Sequence, residues 1–379
     1  MSCGIDIITI LLPYLFVYGL DLYIIRENVK CNIKILCIGE GYAMKKEFKL
    51  PFSEQPTLSY YQNVAFPLSL IEGNAKALNK DITPWLMSKC INPMFNPTAR
   101  SCLYDACFWD KWGSGDKVVF QQYSTMLKSI YINLNIDIID HLTKMISQGC
   151  YVTSYYNERY IPGKSLYQKR DFDHDCILYG FNMDKKIFYS AGYLADGKYR
   201  LFEISFEDFL NAIFNTESDR IAFSYFMYNN EVDYQLDVCR VKAALSDYLN
   251  STTSHGFRAD VFYGITANEK LKEYILNNVK TYEIPHIDLR FSEAFAKHKY
   301  YIYLCIKYLS DNQIVSEVEE DLSSIEATYK NAALIHLLGL KFNMTHELSI
   351  LDRIEKLFID IQKREALAID NVVNVLRTM

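Results

Sequence analysis

The amino-acid sequence predicts an α+β protein, and three observations carry that reading. Half of its 379 residues are apolar, enough to fill two hydrophobic cores. Apolar runs bounded by turn signals gather mid-chain and end in CILYGF, NMDKK and IFYSAGY, between Cys176 and Tyr193. Beyond about residue 286 the apolar spacing changes to three- and four-residue steps, the period of helices with one apolar face. No Gly/Ser-rich or Pro-rich linker separates the parts. They read as an N-terminal extension (residues 1–50), a mixed domain (51–215) and a mainly helical C-terminal domain (216–379).

The first apolar run, IITILLPYLFVYGL (Ile7–Leu20), is fourteen residues long, against the roughly 20 that a membrane helix needs. Asp6 and Asp21 flank it, Pro13 interrupts it and no basic stretch precedes it, so it reads as a buried segment. NIKILCIGEG (Asn32–Gly41) reads as a strand closed by a turn. In LPFSEQPTLSYYQNVAFPLSLI (Leu50–Ile71), SEQPT has the turn chemistry that precedes a helix. NVAFPLSLI supplies the apolar face, with Pro67 expected to kink the helix or delay its start.

GCYVTSYY (Gly149–Tyr156) reads as a strand, followed by a crossover loop and the Cys176–Tyr193 hairpin. The strongest helices are His286–Leu309 and Thr345–Leu376. In the second, Leu348, Leu351, Ile354, Phe358, Ile361, Ile369, Val372 and Leu376 form one face, with Thr345 as N-cap and Glu347 in the first turn. That face packs either on the rest of the chain or on a second copy, which would make a homodimer through the helical domain.

A net charge of −6 and the lack of any long basic cluster argue against nucleic acid as a partner. The ten cysteines show neither a C-x2-C pair nor the density of a secreted scaffold. A cytoplasmic protein with buried thiols is expected, with no metal, no organic cofactor and no membrane span. The thirty tyrosines and twenty-two phenylalanines either line a cleft for an aryl or acyl chain or fill the core. His286, His298 and His336 read as helix packing, and EVEEDLSSIE (Glu317–Glu326) as a solvated helix face.

Chemistry concentrates at DFDHDCILYGFN (Asp171–Asn182), where His174 opens a core strand. A histidine so placed is held rigidly, with its ring toward a cleft. In papain-like folds such a histidine activates a thiol or hydroxyl at the start of an earlier helix. The helix N-terminus favours the anion and a glutamine holds the oxyanion. Here the earlier helix is the one within Leu50–Ile71, with Ser59 near its start, Gln55 a few residues before and no cysteine.

YYNERYIP and FDHDCILYGFNMDKKIFYSAGYLADGKYRLFEISFEDFLNAI, within Tyr155–Ile213, resemble the butirosin biosynthesis acyltransferase and its C39-peptidase-like relatives. YGITANEKLKEYI (Tyr263–Ile275) and IDLRFSEAFAKHKYYIYLCIKYL (Ile287–Leu309) look like the second half of large members of that group. The resemblance is a pattern over most of residues 51–378, without a rigid signature. It implies a papain-like (C39-peptidase-like) domain that moves an acyl group from an acyl or peptidyl carrier-protein thioester to a small-molecule amine. The amide so formed would belong to the biosynthesis of a nonribosomal peptide or other antibiotic.

His174 matches the family histidine, and the resemblance makes it the general base, with Gln55 as oxyanion donor. Where active members carry a cysteine, this chain has Ser59, Tyr60 and Tyr61. Where a third triad member is expected, Ser190–Gly192 reads SAG, with Asp196 the nearest acid. Four readings stay open: Ser59 is the nucleophile, Cys102 or Cys107 reaches His174 from another element, the site is a non-catalytic cleft, or His174 bonds locally to Asp173 or Asp175.

Overall fold

The computed structural model describes residues 21–27, 30–36, 46–97, 103–106, 120–127, 136–216, 222–254, 258–279 and 285–377, those in 21–36 and 120–127 by backbone alone. The strands are β1 (Asp21–Glu27), β2 (Lys30–Leu36), β3 (Glu47–Lys49), β4 (Met94–Asn96), β5 (Leu103–Asp105), β6 (Phe120–Leu127), β7 (Cys150–Asn157), β8 (Asp173–Asn182), β9 (Ile187–Tyr193), β10 (Tyr199–Ser205), β11 (Ala222–Tyr228) and β12 (Phe262–Tyr263). The helices are α1 (Gln62–Ala77), α2 (Thr83–Lys89), α3 (Ile138–Ser147), α4 (Phe206–Phe214), α5 (Val238–Asn250), α6 (Gly264–Asn278), α7 (Leu289–Asp311), α8 (Glu319–Thr345) and α9 (Ser349–Arg377). The class is α+β with antiparallel sheets. Two compact units form, residues 1–78 with 111–232 and residues 79–110 with 233–379.

The first unit is built on a sheet of order β10-β9-β8-β7-β11-β6, with β3 added beside β8. Successive side chains of β8 point to opposite faces. Cys176 and Leu178 join a core with Leu142 and Ile146 of α3 and Phe209 and Ile213 of α4, while Ile177 packs with Phe66 of α1 and Ala191. Helices therefore cover both faces. Side-chain caps start α3 (Asp137) and α4 (Ser205). α1 begins at Gln62 and carries Pro67 inside it. β11 lies in the block read as mainly helical, yet its buried Phe223 and Tyr225 belong to this core.

In the second unit α8 packs on both α7 and α9. The final helix starts at Ser349, not Thr345: Thr345 ends α8, and His346, with φ of 54°, closes it. Leu351, Ile354, Phe358, Ile361, Ile369, Val372 and Leu376 are buried within the unit, whereas Leu348 precedes α9 and is exposed. Residues 79–110 belong here too: β4 pairs with β12 and β5, and Tyr104 of β5 donates to Asn268 of α6 at 2.7 Å.

A buried charge network ties this unit together. Lys299 Nζ lies 2.6 Å from Glu365 Oε2, and Tyr248 donates to the same oxygen at 2.6 Å. Burial holds the Lys299 ammonium below its usual pKa, against the pull of Glu365. Beside it, His298 is fully buried, with its Nε2 2.8 Å from the Ile91 carbonyl. Burial and then the Lys299 charge push its pKa well down, which keeps it neutral and makes it a packing residue.

Among the described residues no helix is long and apolar enough to cross a membrane; Ile7–Leu20 lies outside them. Cys150, Cys176, Cys239 and Cys305 are free thiols. Cys90 is disulfide-bonded, a bond that persists mainly in oxidising compartments.

Lys299→Met strands the Glu365 charge in the core and should cost about 3–5 kcal/mol in urea unfolding, most of it recovered in Lys299→Met/Glu365→Leu. Equal costs for the single and double variants would refute the pairing.

Candidate functional site

The site forms where two strands part. The β8–β9 ladder runs from Asn182 opposite Ile187 to Leu178 opposite Ser190, with a register shift between Leu178 and Gly180, and there it stops. The backbone groups beyond need other partners. Gln62, the first residue of α1, supplies them: its Nε2 donates to the Asp175 carbonyl at 3.1 Å and its Oε1 accepts from Tyr193 N at 3.2 Å. One side-chain amide thus bridges the parted strands and brings the start of α1 beside His174.

His174 sits opposite Tyr156 in the β7–β8 ladder. Its ring is one-third exposed, at 33 %, and its Nδ1 lies 2.8 Å from Glu158 Oε1. An ionised carboxylate only accepts, so Nδ1 carries a hydrogen, and in the neutral imidazole it is then Nε2 that holds the lone pair. Gln62 Nε2 is 3.4 Å from the same Nδ1.

Glu158 opens the 3-10 turn Glu158–Tyr160 that follows β7. Asn157 fixes this turn, accepting from Arg159 N and Phe172 N and donating to Asp171 Oδ1. Glu158 N also donates to the Phe172 carbonyl at 2.9 Å. The turn and the start of β8 are therefore one hydrogen-bonded piece.

Lys164 completes the cluster. Its Nζ lies 3.4 Å from Glu158 Oε1, donates to the Tyr193 carbonyl at 2.9 Å and reaches Gln62 Oε1 at 3.5 Å. Both carboxylate and ammonium are buried, at 7 % and 1 % exposure. Burial raises the Glu158 pKa, but the hydrogen bond from His174 and the Lys164 charge outweigh it, so the net shift is downward. At Lys164 the net shift is also downward, because burial costs the ammonium more than Glu158 and the weaker pull of Asp175 return.

Space for these side chains comes from Gly192. A Cβ there would stand 2.8 Å from both Gln62 Oε1 and Lys164 Nζ, and its φ of +154° is a glycine conformation. The SAG stretch ends in glycine where Gln62 and Lys164 fill the room a Cβ would need. Ser190 is buried and donates to the Ile177 carbonyl at 2.8 Å, and Asp196 pairs with Arg200.

Ser59 lies half-buried in the segment leading into α1, and Gln55 is exposed in that segment. Neither side chain is hydrogen-bonded to His174. Cys102 and Cys107 fall outside the described residues. Cys176 is no substitute: burial pushes its thiol up to about 12, and the thiolate is the nucleophilic form. The ring bonds to Glu158, and no hydrogen bond joins it to Asp173 or Asp175, so of the four readings the local contact is the one the geometry does not favour.

Sequence reasoning missed Glu158, Lys164 and Gln62. The one signal was the polar loop NERYIPGK ahead of His174, whose side chains follow no period. Among the described residues, no three His, Cys, Asp or Glu side chains are placed to hold a metal ion. No family model matches the chain, and no curated protein matches it. The arrangement can hold a neutral imidazole in one tautomer and offer its Nε2 as a base.

Because the Glu158 pKa is lowered in the folded state, its stabilising contribution is present above the ordinary value of 4.5 and is lost as pH falls through the folded-state value. Glu158→Gln should therefore cost about 3 kcal/mol at neutral pH, by stranding Lys164, with the gap to wild type closing in acid. A gap that is constant with pH would contradict this. Gly192→Ala should displace Gln62 and Lys164 and lower the melting temperature, measurable by calorimetry.

Proposed function

We propose that the chain transfers an acyl group from an acyl or peptidyl carrier-protein thioester to a small-molecule amine, forming an amide, with His174 as general base. One observation carries this reading: the Nδ1 of a part-exposed imidazole is spent on the buried Glu158 carboxylate, which leaves Nε2 free. In the proposed step the amine attacks the thioester carbon. The C–N bond forms, the C–S bond breaks, and sulfur leaves with the electron pair. The amine proton passes to His174 Nε2 and then to the departing thiolate, which restores the imidazole. Glu158 holds the tautomer and offsets the imidazolium charge between the two transfers.

The start of α1 supports the same chemistry. Tyr61, at its N-cap, makes no side-chain cap and the first turn carries no acid. The positive end of the helix is thus not neutralised by a side chain of its own first turn, which favours an oxyanion developing there. A helix start set against a strand-borne histidine is the arrangement a papain-like (C39-peptidase-like) domain uses, and we read the first unit as such a domain. The peptide-antibiotic type of product rests on the family resemblance alone.

Direct transfer is preferred over a covalent route through Ser59, because among the described residues no Ser, Thr or Cys side chain hydrogen-bonds the His174 ring. Gln62 favours a second reading, since an amide and not a nucleophile touches the ring. In that reading the cleft binds a biosynthetic intermediate or a synthetase partner without reacting.

Incubation with acyl-carrier thioesters and a panel of amines should give amide detectable by mass spectrometry, slowed about 10²–10⁴-fold in His174→Ala. No amide from any donor supports the binding reading instead, and amide formed at an unslowed rate by His174→Ala rules out His174 as the base. Intact mass with donor alone separates the routes: direct transfer leaves the protein unmodified, and a covalent route leaves an acyl group on Ser59.

A further inference from the structure

The second unit holds a cavity of about 310 Å³ that the proposed reaction does not use, near the low end of the roughly 300–1,000 Å³ of small-molecule sites. Its walls are fixed by hydrogen bonds. Asp247 Oδ2 accepts from Ser254 N and Ser254 Oγ, both at 2.7 Å, and Asn92 Nδ2 donates to the Thr252 carbonyl at 2.8 Å. The loop after α5 is thereby tied to that helix and to Asn92, before any ligand arrives.

Three polar groups on this cavity are unspent. Asn92 is nine-tenths buried, and its Oδ1 has no hydrogen-bond partner. A buried acceptor left this way is a place for a donor from outside the chain. The Arg240 guanidinium makes no hydrogen bond or ion pair among the described residues, and Asp237 engages one oxygen only, with Arg240 N at 2.9 Å.

Charge decides the ligand. Two basic residues, Lys89 and Arg240, and two acidic ones, Asp237 and Asp247, line the cavity. A simple anion would meet two carboxylates and a simple cation two bases, whereas a molecule with both signs finds an opposite charge for each of its own. We propose that this cavity binds a small zwitterion of the free amino acid class, its carboxylate on the Arg240 fork and its ammonium on Asp237 and Asn92 Oδ1. The site stands apart from the acyl-transfer reading and does not depend on it.

Titration calorimetry of the full chain against free amino acids, and against their N-acetyl and C-amide forms, tests this. At least one free amino acid should bind, with both blocked forms weaker by about tenfold or more. Arg240→Gln should weaken binding about tenfold, as should Asp237→Asn, which keeps the helix cap but drops the charge. Circular dichroism checks that both variants fold. The proposal is overturned if no free amino acid binds at about 10 mM, leaving water as the only occupant. It is equally overturned if blocked forms bind as well, or if Arg240→Gln binds as tightly as wild type.

Discussion

The candidate site depends on one amide. β8 and β9 pair only as far as Leu178 and Ser190, and the Asp175 carbonyl and Tyr193 N–H lie beyond that point. Gln62 satisfies both and so stands in for the missing rung of the sheet. Because Gln62 is the first residue of α1, the same bond sets where the helix begins relative to the histidine. Gly192 follows from it, since the bridge leaves no room for a Cβ.

Around that amide the charges are arranged unevenly. One buried carboxylate, Glu158, serves both Lys164 and His174. Lys164 balances its charge, so the imidazole does not have to be cationic to keep the carboxylate in the interior. Such an arrangement suits a base that must gain and lose a proton. In the second unit Glu365 has, among the described residues, a single cation, Lys299, and the tyrosine hydroxyl of Tyr248. That pair is fully enclosed, with nothing part-exposed to hand a proton to solvent, and it acts as structure.

The helical unit also shows how an apolar face is claimed. The periodic residues of α9 are consumed by packing within their own unit, while Leu348, at the head of the same pattern, stays in solvent because α8 ends at Thr345 and α9 does not start until Ser349. Spacing alone could not separate a buried helical position from a residue in the turn before the helix.

Sequence by itself determined the α+β class, the hairpin of β8 and β9, the long C-terminal helices and the position of His174 at the head of a strand. Each of these is written in a local period or a turn signal, which neighbouring residues enforce. Only the tertiary structure decided what the histidine touches. Glu158 and Lys164 come from an irregular loop, and Gln62 is 112 residues away in sequence, so no period relates them to His174. Likewise, residues 79–110 join the C-terminal helices through short strands, a grouping set by long-range pairing that leaves no local mark. Periodicity records which face of an element is buried, while the identity of the partner is settled by chain crossings that composition does not encode.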